Sequence, residues 1–173
     1  MSRANRVGVL PSVCLLALLI ALVATSAAAD VVFGRAIAIT DGNTLIVLDA
    51  TNLRHTIRLA GIDAPELAQD FGQQARTSLS ALAFNRQATA NCKAYDRIQR
   101  ELCVVMVDGK DLGLEQVRRG MAWLYQKYRI DQTPDNRAAY EQAEFNAKIR
   151  RYGLWNSKNP TPPWDWRHGM PEE

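Results

Sequence analysis

The first half of the chain alternates apolar segments with short polar turns, and this pattern constrains the fold more than any other feature. Segments 31–40, 43–49 and 53–60 are rich in Val, Ile, Leu and Thr, which favour extended backbone. Asp41-Gly42 separates the first two segments, and glycine tolerates a positive φ at no steric cost, so a hairpin is predicted there. The three segments together predict a three-stranded antiparallel meander.

The hydrophobic spacing changes after Pro65. Apolar residues recur at the period of an α-helix over about 71–86, which predicts an amphipathic helix lying on the sheet. Segments rich in strand-forming residues return at about 88–95 and 101–107, and they predict a fourth and a fifth strand.

Two further helices are predicted toward the C-terminus. Asp111 is a candidate N-cap for the first of them, and Gly120 ends it. The last helix runs over about 135–152, where basic residues suit the negative end of the helix dipole and Gly153 ends it. The order β-β-β-α-β-β-α-α excludes a doubly wound parallel sheet. It favours an α+β fold in which three helices cap a small five-stranded barrel.

The N-terminal segment, residues 1–29, has the organisation of a secretory signal peptide. Arg3 and Arg6 precede an apolar run, and small residues lead to a cleavage site after Ala29. An uncleaved membrane anchor is the alternative, but the apolar core is short for a membrane span. We therefore expect an exported protein, secreted or periplasmic, with no membrane attachment after cleavage and a single domain over 30–173.

The charge balance excludes a histone-like polycation. The leader holds two of the 21 Lys and Arg residues and none of the 18 Asp and Glu residues, so without it the formal net charge falls from +3 to +1. Any binding of nucleic acid must then come from a local basic patch rather than from bulk charge.

Two cysteines, Cys92 and Cys103, remain once the leader is removed. An even count in an oxidising compartment favours a disulfide, and a hairpin centred on Arg97-Ile98 would bring the two residues opposite each other. Two buried thiols that pack as small apolar groups are the alternative. A zinc site is disfavoured because the cysteines and the two histidines show no ligand spacing.

Carboxylates and arginines at the ends of predicted strands are the candidates for chemistry. The chain has no G-x-S-x-G, H-E-x-x-H, Walker A or G-x-G-x-x-G motif, so serine hydrolase, zinc protease and nucleotide-fold functions have no support. Each candidate has an ordinary alternative role as a turn, cap or surface ion-pair residue. The candidates are Asp41, Asn43, Arg58, Asp63, Glu66 and Arg100.

Two motifs taken together resemble the staphylococcal nuclease-like (thermonuclease) family. They are the stretch Asp41-Gly42-Asn43-Thr44 and the stretch that runs from Arg58 to Asp63-Ala64-Pro65-Glu66. The resemblance covers nearly all of residues 31–167 in one order. It implies an OB-type barrel of five strands with three helices. Further agreement lies at 71–75, 96–100, 120–123, 153–155 and 163–167.

The same resemblance implies a calcium-dependent nuclease that hydrolyses the phosphodiester bonds of DNA and RNA with little sequence preference. It assigns Asp63 to the calcium ion and Glu66 to the activation of the attacking water. Arg58 and Arg100 would bind the phosphate. These roles agree with physical chemistry, because negative charge grows on the phosphoryl oxygens and a cation and bidentate guanidinium groups stabilise it. A monomer is expected.

Two positions depart from the family pattern. Asn43 stands where the motif usually has Asp, so a charged metal ligand becomes a neutral carbonyl oxygen, and Asp41 is the candidate to compensate as a ligand. Ile98-Gln99 replaces a common Tyr-Gly, which removes a base-stacking aromatic beside Arg100. Tyr125 and Tyr128 remain as candidates for base stacking, with helix-end packing as the alternative.

These departures motivate a second hypothesis and leave a third in place. The second is a catalytically impaired binding domain of the cell envelope, for example one linked to exopolysaccharide biology. The third is a purely structural periplasmic domain. It is ranked last because a structural role does not explain why four residues suited to phosphate chemistry occupy the positions of the family motifs.

Overall fold

The computed structural model describes residues 30–125 and 134–169, and eight strands and four α-helices lie within them. The strands are β1 (Asp30–Ile39), β2 (Thr44–Asp49), β3 (Arg54–Leu59), β4 (Ile62–Asp63), β5 (Gln87–Tyr95), β6 (Glu101–Val107), β7 (Lys110–Asp111) and β8 (Trp123–Leu124). The α-helices are α1 (Gly72–Ala83), α2 (Leu112–Arg118), α3 (Pro134–Ile149) and α4 (Pro163–Gly169). A 3-10 helix covers Gly153–Asn156.

Five of the strands close into a barrel. β1 pairs antiparallel with β2 and with β5, β2 pairs with β3, and β5 pairs with β6. The parallel pair β3–β6, in which Ile57 lies opposite Glu101 and Leu59 opposite Cys103, closes the ring. This strand order confirms the predicted α+β fold with a five-stranded OB-type barrel.

Side-chain alternation along the strands fills the barrel. Successive residues of a strand point to opposite faces, so every second residue of a barrel strand faces the interior. Ala36, Leu45, Val47, Ile57 and Val105 are fully buried in this way. α1 covers the barrel with its own apolar face, whose buried members are Gly72, Ala75, Leu79, Leu82 and Ala83.

The helices agree with the sequence prediction except for one addition. Asp111 caps α2, as expected, because its carboxylate accepts hydrogen bonds from the backbone N–H groups of Gly113 and Leu114. The fourth helix, α4, was not predicted, because seven residues are too few to show a helical period. Among the described residues, no helix is both long and apolar enough to cross a bilayer.

Candidate active site

One open cleft of about 420 Å³ lies beside the turn between β1 and β2, and most of the candidate residues line it. The structure brings together there Asp41, Asn43, Arg58, Asp63, Glu66, Arg100 and Tyr125. Tyr128 and the predicted leader lie outside the described residues. The cleft also holds two cations that the sequence analysis did not assign to a site, Arg97 and Arg167.

A buried ion pair forms the floor of the cleft. Arg58 lies near the end of β3, and Asp63 ends the short strand β4, after a turn in which Gly61 has a φ of 73°. The Arg58 Nη2 atom donates to the Asp63 Oδ1 atom at 2.7 Å, and the Asp63 side chain is only 1% exposed. Taking a carboxylate out of water is costly unless cations or hydrogen-bond donors compensate for its lost hydration, and Arg58 provides one such partner.

Arg167, on α4, provides the second cation for that carboxylate. Its Nη2 atom donates to Asp63 Oδ2 at 2.7 Å, and its Nη1 atom donates to Glu66 Oε1 at 2.6 Å. Both oxygens of Asp63 therefore face guanidinium groups, and Arg167 bridges the two carboxylates to which the family resemblance gives metal binding and water activation. Burial works against the charged form of Arg167, but these hydrogen bonds and charges raise its pKa.

The turn between β1 and β2 carries Asp41 and Asn43 into the cleft. The Asp41 Oδ1 atom accepts a hydrogen bond from the Asn43 backbone N–H at 2.8 Å, which is the usual bond of an Asx turn. In the amide orientation that satisfies both neighbours, Asn43 Nδ2 donates to Asp41 Oδ1 at 3.0 Å and Asn43 Oδ1 accepts from Arg58 Nη1 at 3.2 Å. Asn43 is thus a neutral link between an acid and an arginine.

Close packing holds this turn in place. It explains why position 42 is a glycine, whereas the sequence analysis had explained this glycine by a positive φ. Gly42 is not among the glycines with a positive φ. A Cβ atom at this position would lie 2.6 Å from the Cβ atoms of Ala64 and Ala75, so only glycine lets the turn approach α1. The buried Gln116 side chain adds to this by donating to the carbonyls of Gly42 and Ala75 at 2.7 and 2.9 Å.

Arg100 enters the cleft from the loop between β5 and β6. Its Nε atom donates to Asp96 Oδ2 at 2.7 Å, and its Nη1 atom donates to Thr44 Oγ1 at 3.3 Å. Burial works to raise the pKa of Asp96, but the hydrogen bonds and charge of Arg100 outweigh it and lower that pKa. Asp96 therefore stays anionic and fixes the direction of the arginine.

A disulfide joins the two strands that carry this loop. Cys92 lies opposite Cys103 across the β5–β6 pair, and their sulfur atoms are bonded. In the structure, Cys92 and Cys103 therefore form a disulfide and are not two free thiols. The cross-link closes the hairpin whose tip holds Asp96 and Arg100.

Aromatic side chains flank one side of the cleft. The Tyr125 ring lies 5.5 Å from that of Trp164, centroid to centroid, at an angle of 34°. The backbone N–H of Tyr125 donates to the Gly61 carbonyl at 2.9 Å, which holds the residue beside the β3–β4 turn. Ile98, at the position where the family pattern has an aromatic, is 71% exposed.

The donor atoms of the cleft suit a hard cation such as calcium, which prefers oxygen ligands. Asp41 and Asp63 offer carboxylate oxygens, and Asn43 offers an amide oxygen. The carboxylates of Asp41, Asp63 and Glu66 do not form a cluster of three by themselves. Across residues 30–125 and 134–169, three ligand atoms of His, Cys, Asp or Glu come within 4.8 Å of one another only at Cys92, Glu101 and Cys103, where the sulfur atoms are bonded to each other.

The charges of the cleft balance. Its carboxylates are Asp41, Asp63, Glu66 and Asp96, and its guanidinium groups are Arg58, Arg97, Arg100 and Arg167. A cleft with equal numbers of acids and bases attracts a polyanion weakly. One added divalent cation would make it positive.

Arg167 is the site residue that sequence reasoning missed. It lies 104 positions after Asp63 and 101 after Glu66, so no local spacing connects the three. The available signal was weak: Arg167 ends the segment 163–167, which is part of the family resemblance. In that segment the Trp164 ring lies 6.5 Å from the Trp123 ring, centroid to centroid.

Comparison with known proteins finds similar chains in several bacteria. A family model described as "Staphylococcal nuclease homologue" matches residues 56–157. An "Uncharacterized endonuclease" of Haemophilus influenzae is 41% identical over 133 residues, which cover 77% of this chain and 71% of the relative. An "Uncharacterized endonuclease" of Escherichia coli O157:H7 is 33% identical, covering 79% and 86%. A "Micrococcal nuclease" of Shigella flexneri is 36% identical, covering 78% and 79%.

Proposed function

We propose, because this chain belongs to the staphylococcal nuclease-like family, that it is a calcium-dependent nuclease that hydrolyses phosphodiester bonds in DNA and RNA. The family is one of nucleases that generally depend on a metal ion. The observation that carries the proposal is the convergence of Arg58, Asp63, Glu66 and Arg100 at one cleft.

The two arginines of the motifs are suited to the phosphate. A guanidinium presents a planar fork of donors that matches two phosphate oxygens, which a lysine ammonium does not. Arg58 is fixed by Asp63, and Arg100 is fixed by Asp96, so neither needs to be reorganised during the reaction. Donors fixed in advance stabilise the transition state more than the ground state, because the charge on the phosphoryl oxygens grows as the reaction proceeds.

Glu66 is proposed as the general base. Its side chain is 41% exposed and stands at the side of the cleft, where water has access. One of its carboxylate oxygens would accept a proton as the water oxygen attacks phosphorus and the bond to the leaving oxygen breaks. Arg167 donates to Glu66 Oε1, which leaves Glu66 Oε2 as the oxygen that would accept the proton.

Asp63, Asp41 and Asn43 are proposed to hold the calcium ion. When bound, the ion would supply positive charge next to the phosphoryl oxygens. Asp63 would be the principal ligand because it is the buried carboxylate at the floor of the cleft. Asn43 contributes a neutral oxygen, so we expect weaker calcium binding than a second carboxylate at this position would give.

Low sequence preference agrees with the composition of the cleft. Its charged groups suit phosphate oxygens, which carry no sequence information. Tyr125, and Tyr128 outside the described residues, are proposed to stack on bases, an interaction that tolerates any base. We also propose that the protein is exported, that residues 1–29 are removed, and that the mature chain acts as a monomer.

Digestion of single-stranded DNA by the purified protein, with calcium and with a chelator, tests the nuclease proposal. We expect cleavage in calcium, none in chelator, and a loss of roughly 100-fold or more in Glu66→Gln. Glu115→Gln, outside the cleft and paired with Arg118, is the matched control and should keep its activity. Parent activity no greater than that of Glu66→Gln would contradict the proposal.

A second candidate function rests on Asn43. Its amide links Asp41 to Arg58 without contributing a charge, which suits a binding domain of the envelope that has lost efficient catalysis. The Asn43→Asp variant separates the two candidates. A large gain in calcium-dependent turnover would support the impaired site, whereas high turnover in the parent chain would exclude it.

A further inference from the structure

Arg167 has no role in the hydrolysis described above, yet it occupies the centre of the site. We infer that its guanidinium is an exchangeable counter-ion, which neutralises Asp63 and Glu66 until a divalent cation takes its place. This inference rests on the proposed use of calcium and adds the C-terminal helix to the control of cation binding.

Asp63 is buried with a guanidinium partner on each of its carboxylate oxygens. At 1% exposure its carboxylate has lost its hydration, and its oxygens Oδ1 and Oδ2 each accept one guanidinium hydrogen bond at 2.7 Å. Removing a partner from a buried charge is strongly unfavourable. In the cation-free protein, Arg167 therefore supplies neutralisation that nothing else in the cleft provides at Oδ2.

A divalent cation and both guanidinium groups would compete for the same oxygens of Asp63. An ion bound to Asp63 would lie within a few ångströms of the Arg58 and Arg167 side chains. Like charges at that separation repel strongly in a partly buried site, where the dielectric constant is low. Withdrawal of one of the two arginines would lower this repulsion and favour binding of the ion.

The structure indicates which arginine withdraws. Arg58 lies on β3, which pairs with β2 on one side and with β6 on the other, and it is 8% exposed. The Arg167 side chain is 42% exposed, and it reaches the site from the last turns of α4. Arg167 can therefore swing into water, whereas Arg58 cannot move without disturbing the barrel.

Aromatic contacts keep α4 in place while the side chain exchanges. Trp164 packs against Trp123 and Tyr125, and the Gln69 side chain donates to the Thr161 carbonyl just before the helix. The displaced guanidinium therefore stays near the cleft. Exchange of Arg167 for a divalent cation would change the formal charge of the cleft from zero to +1, with the displaced guanidinium close by, and make the cleft attractive to a polyanion.

Calcium binding without nucleic acid tests the inference, because the readout does not depend on catalysis. We would titrate calcium into the parent, Arg167→Gln and Arg97→Gln by calorimetry. Arg97 lines the same cleft but forms no ion pair with Asp63 or Glu66, so its variant controls for the loss of one positive charge. We expect Arg167→Gln to bind calcium roughly tenfold more tightly than the parent, and Arg97→Gln to change much less.

Thermal unfolding provides a second readout. In chelator, Arg167→Gln should unfold at a lower temperature than the parent, because Asp63 has lost a partner. Calcium should raise the unfolding temperature of the variant more than that of the parent. If calcium left the difference in unfolding temperature between the parent and Arg167→Gln unchanged, Arg167 would have a merely structural role. That result would overturn the inference.

The remaining outcomes separate the inference from the proposed function. Equal calcium affinity in the parent and Arg167→Gln would overturn the inferred role of Arg167 as a counter-ion and leave the calcium proposal intact. No binding by any of the three proteins would overturn the calcium proposal itself. Should Arg167→Gln not fold, Arg167→Met removes the charge and keeps an apolar side chain of similar length, and an affinity no higher than that of the parent would overturn the inference.

Discussion

Arg58 and Asp63 lie on either side of a single tight turn, and their side chains meet at 2.7 Å in an ion pair that is almost fully buried. The pair belongs both to the floor of the cleft and to the packing of the barrel. Breaking a buried pair by changing one partner leaves the other charge uncompensated. Stability and proposed catalysis therefore depend on the same two residues.

Replacing Arg58 by lysine keeps the charge but removes the planar fork. We expect nuclease activity to fall by roughly 100-fold or more, because a bidentate contact in the transition state is lost. The free energy of unfolding should fall by about 1–3 kcal/mol. Activity assays and urea unfolding measure the two effects. Arg54→Lys, exposed on the same strand, is the control, and equal behaviour of the two variants would contradict this prediction.

Gly42→Ala places a methyl group where there is no space. The new Cβ would lie 2.6 Å from Ala64 and Ala75, so the turn with Asp41 and Asn43 must shift away from α1. We expect a loss of about 1–3 kcal/mol in the free energy of unfolding, measured in urea, together with weaker calcium binding. Gly169→Ala is the control, because its Cβ meets no atom within 4 Å, and it should change neither the free energy of unfolding nor calcium binding. A Gly42→Ala variant as stable as the parent would contradict this prediction.

The disulfide should stabilise the hairpin that carries Arg100. Cys92 and Cys103 are 11 residues apart, so the cross-link restricts a short loop of the unfolded chain. Replacing both by alanine should lower the free energy of unfolding by roughly 2–4 kcal/mol. Thiol labelling of the denatured, unreduced protein after export should detect no free cysteine. Two labelled thiols would show that the bond does not form in the cell.

His55 should make stability depend on pH. Its Nδ1 and Nε2 atoms lie 2.9 Å from Glu101 and 3.2 Å from Asp49. Burial works to lower its pKa, but these acids outweigh it and raise the pKa above the usual value of about 6.5. A raised pKa means that the folded state favours the protonated ring.

The resulting stabilisation is fully present below about pH 6.5 and disappears as the pH rises through the higher pKa of the folded state. Urea unfolding of the parent and His55→Gln from pH 5 to pH 9 measures it as a difference in the free energy of unfolding. That difference should shrink as the pH rises. The exposed His168 provides the control variant, and a difference that grew with pH would reverse the predicted sign.

Local signals were enough to predict the barrel strands, the Asp111 cap and the Cys92–Cys103 register, because each depends on neighbouring residues or on one hairpin. The motif residues were likewise predictable as a group, and the structure places them at one cleft. Arg167 and the packing role of Gly42 were not predictable. Both depend on contacts between segments far apart in the chain, which no period or spacing reports.

The parallel pairing of β3 with β6 also determines when the site exists. Arg58 is the second-last residue of β3 and Arg100 directly precedes β6, so the two arginines face the same space only after the ring has closed. An unfolded chain carries the same side chains but has no assembled cleft. The topology therefore makes the proposed activity depend on completed folding of the barrel.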